Sequence, residues 1–247
     1  MRTVPLPDQK VTAYRALCLG ALLMRANLED RLRNTMPLPS AQPASMFWEP
    51  VKSWLAKYNV SAFLSPKEKD LLGKPVGSWS LQDIVNSSWR AECLGVVLWA
   101  LGRTINIPSY DTQFSAPDIL KHIPMGRQPD EFVGKAKLRS STDISKARDL
   151  AELWNWRART TREQKSQVNL PPGMTFQQII SNSARQAHKA GMISSPIDND
   201  FPLYGKSFGK LSEEEYQNSS SICQERHFAL NWLTGHSEDW DNTPTET

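Results

Sequence analysis

The dominant pattern along the chain is helical: apolar residues recur three and four positions apart. Residues 143–166 show it clearly, because Ile144, Ala147, Ala151 and Trp154 follow one another at those spacings and so share one helix face. The same reasoning predicts about nine helices, at residues 8–33, 45–58, 66–72, 80–102, 116–123, 129–137, 143–166, 175–190 and 212–234. We therefore expect an all-α protein, with a single multi-helix domain over residues 1–247.

Several predicted helices begin with a capping signal. The sequences "SPKE" at 65–68, "SLQD" at 80–83 and "SEEE" at 212–215 each place a serine three residues before a carboxylate. Serine and carboxylate can then each accept a hydrogen bond from the other's backbone amide. We see no convincing alternating strand and no Asn-Gly or Asp-Gly hairpin turn, so no sheet is predicted.

Helix 80–102 changes character along its length. It begins amphipathic and becomes apolar on every side from Cys93 to Leu101. A helix without a polar face has neighbours all round it, so this one is predicted to be central, with helix 212–234 packed against it. Its apolar run is about half of what crosses a bilayer, which favours a soluble protein without a membrane partner.

Residues 194–210 have no helical period, although they contain several apolar side chains. Long segments of this kind between helices often move over a site. We therefore predict that 194–210 is a mobile flap.

Two helices carry ionisable residues on their apolar faces. In helix 212–234, Glu225 and Arg226 continue the face of Ile222 and Leu230, and in helix 80–102 Glu92 stands where the polar face disappears. A buried charge without a partner costs several kcal/mol. We therefore predict that Glu92 pairs with an arginine of another helix. Arg226 is the first choice, and the alternatives are Arg139 and Arg157.

His227 and Asn231 lie one turn apart on a neighbouring face of helix 212–234. They could bind a ligand group together. The structural alternative, which we favour, is that they cap loop carbonyls at the surface.

Composition and charge argue against several classes of partner. The chain has 29 Lys and Arg against 26 Asp and Glu, a net charge of +3, and no basic block that would bind nucleic acid. Cys18, Cys93 and Cys223 are widely spaced without a CxxC pair. This pattern argues against a zinc site and indicates free thiols in a reducing, cytoplasmic compartment.

Common catalytic signatures are missing. The sequence has no GxGxxG, GxxxxGK[ST], HExxH or GxSxG motif, and its four histidines are not at ligand spacing. No metal site is predicted, and no cofactor can be assigned.

Four stretches of the sequence resemble the family called domain of unknown function 4272 (DUF4272). They are "SWRAECLGVVLWALG" (88–102), "LRSSTDISKARDLAELWNWRAR" (138–159), "ERHFALNWL" (225–233) and "WDNTPTET" (240–247). The resemblance extends over residues 10–247. This chain ends in Glu246-Thr247 where the family pattern has aspartate-threonine.

The resemblance implies which residues match the family motif, but it supplies no reaction, cofactor or catalytic residue. The candidate polar cluster is Arg90, Glu92, Arg139, Glu225, Arg226, His227, Asn231 and Asp241. The candidate aromatic anchors are Trp89, Trp99, Trp232 and Trp240. Trp240 is expected to fold back onto helix 212–234 and hold the C-terminal segment.

Three functions compete on this evidence. The first is an interaction or regulatory module without catalysis of its own, which binds another protein or a small ligand. The alternative is a hydrolase-like enzyme, with or without a metal ion, that gathers Glu92, Glu225, Arg226, His227 and Asp241 beneath the 194–210 flap. The third, a nucleic-acid binder, would need a basic face that the sequence does not provide. The oligomeric state is left open.

Overall fold

The computed structural model describes residues 6–36 and 43–246 of the chain. These residues form nine α-helices, each of which overlaps a predicted one. They are α1 (Gln9–Arg33), α2 (Ser45–Lys57), α3 (Pro66–Gly73), α4 (Leu81–Ala100), α5 (Ala116–Leu120), α6 (Asp130–Gly134), α7 (Ser141–Lys165), α8 (Phe176–Lys189) and α9 (Glu213–Leu233). The all-α prediction is confirmed.

The predicted capping signals are present at three helix starts. Ser65, Ser80 and Ser212 each accept a hydrogen bond from the backbone amide three residues ahead, and the carboxylate there accepts from the serine amide. These reciprocal bonds satisfy amides that a helix N-terminus otherwise leaves without a partner. The starts of α3, α4 and α9 are therefore fixed locally by the sequence.

Helix α4 lies at the centre, as its apolar composition predicts. Every residue from Ala91 to Leu98 is buried, and α4 packs against α1 on one side and α9 on the other. Helix α9 also packs against α7, so the four long helices follow the spatial order α1, α4, α9, α7. No helix within residues 6–36 and 43–246 has the length and apolar character that a bilayer crossing requires.

Helices α7 and α9 run antiparallel. Arg148 near the start of α7 bonds Asn231 near the end of α9, whereas Lys165 at the end of α7 pairs with Glu213 at the start of α9. The two helices therefore face each other along nearly their whole length.

A short hairpin that the sequence did not predict lies within 194–210. Strand β1 (Pro202–Leu203) pairs antiparallel with β2 (Lys206–Ser207) through a turn at Tyr204 and Gly205, whose φ angles are 51° and 71°. Two consecutive positive φ angles match the twist of a hairpin. Each strand has two residues, too few for an alternating pattern, so the expectation of no sheet was wrong here.

The inner side of this segment is part of the core. Phe201 and Phe208 are 0% and 1% exposed, and Asp200 is paired with Arg157 of α7 at 2.6 Å. Any motion of 194–210 must therefore leave these contacts intact or expose them. The mobility of the flap stays a prediction.

The C-terminal segment folds back onto α9, as predicted. The ring of Trp240 meets the rings of Phe228 and Trp232 edge to face, with centroids 4.9 Å and 5.2 Å apart. Trp240 is itself buried. This contact brings the last residues of the chain against α9 and α7.

Gly95 of α4 provides a test of this packing. A Cβ atom at this position would overlap the Phe114 ring, whereas a Cβ on Gly73 of α3 would meet nothing within 4 Å. We expect Gly95→Ala to lower the free energy of unfolding by about 1–3 kcal/mol, and Gly73→Ala to leave it equal or raise it by at most about 1 kcal/mol. Urea denaturation measures both values, and equal effects would contradict the placement of Phe114.

Candidate functional site

The predicted contact between Glu92 and Arg226 is confirmed. Nε of Arg226 donates to Oε2 of Glu92 at 2.8 Å, and the two side chains are 0% and 2% exposed. The backbone amide of Phe114 donates to Oε1 at 2.8 Å. Burial raises the pKa of the Glu92 carboxyl, and the charge of Arg226 and the Phe114 amide oppose that rise. The pair joins α4 to α9 in the interior.

Arg226 also binds the loop that follows α4. Nη1 donates to the carbonyl of Pro108 at 2.6 Å, and Nη2 donates to that of Thr112 at 2.7 Å. A weaker bond reaches the carbonyl of Ser109 at 3.3 Å. Two rings, those of Tyr110 and Phe114, flank the guanidinium at 5.1 Å and 5.2 Å. One buried arginine therefore fixes the conformation of loop 107–112.

The two alternative partners of Glu92 have other roles. Arg139 donates to the carbonyl of Trp99 at 2.7 Å and lies 5.0 Å from the centre of its ring. It also bonds the carbonyl of Thr104 at 3.0 Å, so it holds the end of α4. Arg157 pairs with Asp200 instead.

A second polar group lies at the edge of the contact between α4 and α9. Nη1 of Arg90 donates to Oε2 of Glu225 at 3.1 Å, and the thiol of Cys93 donates to the same oxygen at 3.0 Å. Burial and the charge of Glu225 raise the pKa of Cys93 well above its usual range. The thiol therefore stays protonated, which removes its capacity to act as a nucleophile.

His227 lies in the interior and not at the surface where we expected it. It is fully buried, and its Nδ1 is 3.2 Å from the amide nitrogen of Asn155. That nitrogen also donates to the carbonyl of Thr245 at 2.8 Å, so Nδ1 accepts and Nε2 carries the proton. Burial lowers the pKa of His227 to about 4, and the charge of Arg148 contributes. The imidazole is therefore neutral near pH 7.

Asn231 caps a carbonyl, as predicted, but it does so in a buried position. Its Nδ2 donates to the carbonyl of Pro244 at 2.8 Å, and its Oδ1 accepts from Nε of Arg148 at 2.9 Å. Asn231 is 1% exposed. The C-terminal residues 243–246 thus cover the face of α9 that carries His227 and Asn231.

Asp241 ties the C-terminal segment to α3. Its Oδ1 accepts from Oγ of Ser65 at 2.6 Å, and its Oδ2 accepts from the amide of Lys67 at 2.9 Å. Of the terminal pair, Glu246 is exposed and Thr247 lies outside the described residues. Among the predicted anchors, Trp232 and Trp240 are buried, whereas Trp89 and Trp99 are half-buried.

The five groups of the hydrolase hypothesis do not share one cavity. Glu92 and Arg226 form one contact, Glu225 binds Arg90 and Cys93, His227 binds Asn155, and Asp241 binds the start of α3. In the part of the chain that the structure describes, no group of three or more His, Cys, Asp or Glu side chains could hold a metal ion.

The largest concave feature is a groove of about 800 Å³ between loop 107–111, α7 and residues 192–205. We call it the α7 groove. Its wall is mainly apolar and includes Ile107, Leu150, Trp154, Met192, Ile193, Ile197 and Leu203. None of the predicted cluster residues lines it, but the predicted flap forms one side. The loop that Arg226 holds forms another.

One acidic group, Asp111, stands in this apolar wall. Its carboxylate accepts hydrogen bonds from the hydroxyls of Ser109 and Thr112. Burial acts to raise the pKa of Asp111, but these hydrogen bonds outweigh it and lower the pKa below its ordinary value. Asp111 therefore presents a negative charge to the groove near neutral pH.

Comparison with known families places the chain. Residues 2–180 match the family model described as Domain of unknown function (DUF4272). The chain belongs to the DUF4272 family. No curated protein and no solved structure matches it.

The DUF4272 match contains only part of the contact network. It includes Glu92 and loop 107–112, and two of the four resembling stretches, 88–102 and 138–159. Arg226 and the stretches at 225–233 and 240–247 lie beyond it. The resemblance over residues 10–247 is thus shown for the part within 2–180.

Sequence inspection missed three further buried ion pairs in this DUF4272 chain. They are Arg15–Glu68, Arg25–Glu29 and Arg157–Asp200, at 2.6 Å, 2.7 Å and 2.6 Å. The test that found Glu92 could have found Arg15, Arg25 and Glu29, because all three interrupt the apolar run of α1. Asp111 gave no such signal, since it lies in an irregular loop.

The buried neutral His227 predicts a pH dependence of stability. Between pH 6.5 and 4 the unfolded chain binds a proton at this histidine that the folded chain does not bind. The contribution is therefore complete above pH 6.5 and is lost as the pH falls, with a total of about 3 kcal/mol. In urea unfolding between pH 7 and 4, His227→Gln should reduce the loss of stability. His188→Gln, at an exposed position, is the control. An identical pH profile for wild type and His227→Gln would contradict the neutral assignment.

Proposed function

We propose that this protein is a single-domain helical binding module without catalysis of its own, and that the α7 groove is its ligand site. The ligand is a small molecule with an apolar body and a positively charged end group. The observation that carries the proposal is the combination of an apolar groove of about 800 Å³ with one ionised carboxylate in its wall.

The size and lining of the groove support a small-molecule ligand. Sites for such ligands typically have volumes of about 300–1,000 Å³ and are mostly apolar, with a few polar groups that set orientation. The ring of Trp154 stacks on Tyr110 with centroids 5.2 Å apart, which gives the groove a rigid aromatic wall. An apolar ligand body would gain free energy from burial against these rings.

The charge of Asp111 supports the second part of the proposal. A carboxylate at the edge of an apolar site attracts a cation, and an amine can also donate hydrogen bonds to it. A neutral ligand of the same shape would lose this attraction. We therefore infer selectivity for amines over matched alcohols.

The chemistry of the predicted cluster residues supports a binding role over the hydrolase alternative. The thiol of Cys93 stays protonated, and His227 is fully buried. Arg226 uses its donors on Glu92 and loop carbonyls. These groups are occupied in holding helices and loops together. The three free, buried cysteines support a reducing, cytoplasmic location.

The 194–210 flap would control access to the groove. Residues 194–205 form one wall, and Asp198 and Asn199 have φ angles of 50° and 59°. Such left-handed conformations are common in turns. Because Phe201 and Phe208 are anchored in the core, we propose that opening involves residues 194–199 and leaves the hairpin in place.

Binding of phenethylamine and of the matched alcohol 2-phenylethanol tests this function. We expect calorimetric titration of the wild type to show roughly 3- to 10-fold tighter binding of the amine, as a partly exposed ion pair provides. Asp111→Asn should abolish the preference and leave the affinity for the alcohol unchanged. Asp149→Asn, an exposed acid on α7 outside the groove, should preserve it.

A second pair of variants locates the binding. Ala147→Trp should fill the groove and abolish binding of both compounds, because Ala147 is part of the lining. Ser145→Trp, at an exposed position of the same helix, is the matched control. Failure of both compounds to bind the wild type, or unchanged binding by Ala147→Trp, would refute the proposal.

A further inference from the structure

A second cavity lies between α7, α9 and the C-terminal segment. Its volume is about 180 Å³. Asn155, Arg159 and Arg162 contribute from α7, and Tyr216, Ser220 and Gln224 contribute from α9. Thr245 and Glu246 close one end. The cavity is polar throughout, in contrast to the α7 groove.

The two cavities lie on different faces of α7. Leu150, which lines the groove, and Arg159, which lines the cavity, are nine residues apart. At about 100° per residue this separation places them on opposite sides of the helix. The inference below therefore does not rest on the proposed function.

Arg159 has donors without acceptors in this cavity. Its Nε and Nη1 atoms are shielded from solvent, and neither has a hydrogen-bond partner among the described residues. A buried donor left without an acceptor costs about 1–3 kcal/mol, and more when the group is charged. The other buried arginines differ, because Arg15, Arg25, Arg157 and Arg226 are each paired with a carboxylate.

Arg162 adds a second positive charge to the same wall. It lies three residues after Arg159, which places both side chains on one face of α7. Arg162 is exposed, so it stands at the opening of the cavity. The one acidic residue of the lining, Glu246, is also exposed. The wall thus has two cationic groups against one anionic group.

We propose that this cavity binds an oxyanion, either a phosphate or the carboxylate end of a small metabolite. Nε and one Nη of a guanidinium can donate in parallel to two oxygens of such a group. Arg159 is the main contact, and Arg162 attracts the anion at the opening. The amide of Gln224 and the hydroxyl of Ser220 complete a polar lining.

The volume agrees with this ligand class. A water molecule occupies about 30 Å³ of liquid, so the cavity has room for roughly six water-sized groups. A phosphate or a carboxylate fits this space, whereas a nucleotide would extend well beyond it.

Calorimetric titration with sodium phosphate and with sodium acetate, each at constant ionic strength, tests the proposal. We expect at least one of the two anions to bind saturably to the wild type. Arg159→Gln should weaken that binding about 10- to 100-fold, as loss of a charge-assisted pair predicts, and Arg162→Gln should weaken it about 2- to 5-fold. Lys146→Gln removes one charge from an exposed position of α7 outside the cavity and should leave the affinity within 2-fold.

Two further variants separate ligand binding from a structural role. Without anion, Arg159→Gln should have a melting temperature equal to or above that of the wild type, because it removes donors that lack acceptors. Glu246→Gln should tighten anion binding, because it removes a competing carboxylate. No saturable binding of either anion, unchanged affinity in Arg159→Gln, or weaker binding in Glu246→Gln would overturn the proposal.

Discussion

The structure depends on one buried arginine. Arg226 enters the core from α9 with all its polar atoms shielded, so each donor needs an acceptor. Glu92 supplies the counter-charge from α4, and the carbonyls of loop 107–112 supply the other acceptors. Because these carbonyls belong to the wall of the α7 groove, the condition that stabilises the core also shapes the proposed ligand site. The two cannot change independently.

The same arrangement recurs at three other places. Each of the remaining buried arginine pairs has its guanidinium against an aromatic ring: Arg15 against Trp240, Arg25 against Trp48 and Trp79, and Arg157 against Phe208. The ring covers the flat face of the guanidinium while carboxylates and carbonyls accept along its edge. This explains how a chain with nine tryptophans accommodates charge inside a helical core. It also sets Arg159 apart, because no carboxylate pairs with it in the described part of the chain.

Helical periodicity was sufficient to predict the nine helices, the central position of α4 and the contact between Glu92 and Arg226. Periodicity identifies a helix face but not what covers it. His227 was therefore expected at the surface, whereas residues 243–246 fold over it. The α7 groove could not be predicted either, because loop 107–111 and residues 192–205 follow no repeating pattern. Their positions depend on long-range bonds from Arg226 and Arg157.

Hydrogen exchange of loop 107–114 tests most directly whether Arg226 positions the groove wall. The amide of Phe114 bonds Glu92, and that of Thr112 bonds Ser109, whose carbonyl Arg226 also contacts. In Arg226→Met the account predicts loss of protection in this loop with α1 unchanged, and in the exposed control Arg185→Met no change. Equal protection of loop 107–114 in wild type and Arg226→Met would contradict the claim that this arginine builds the site.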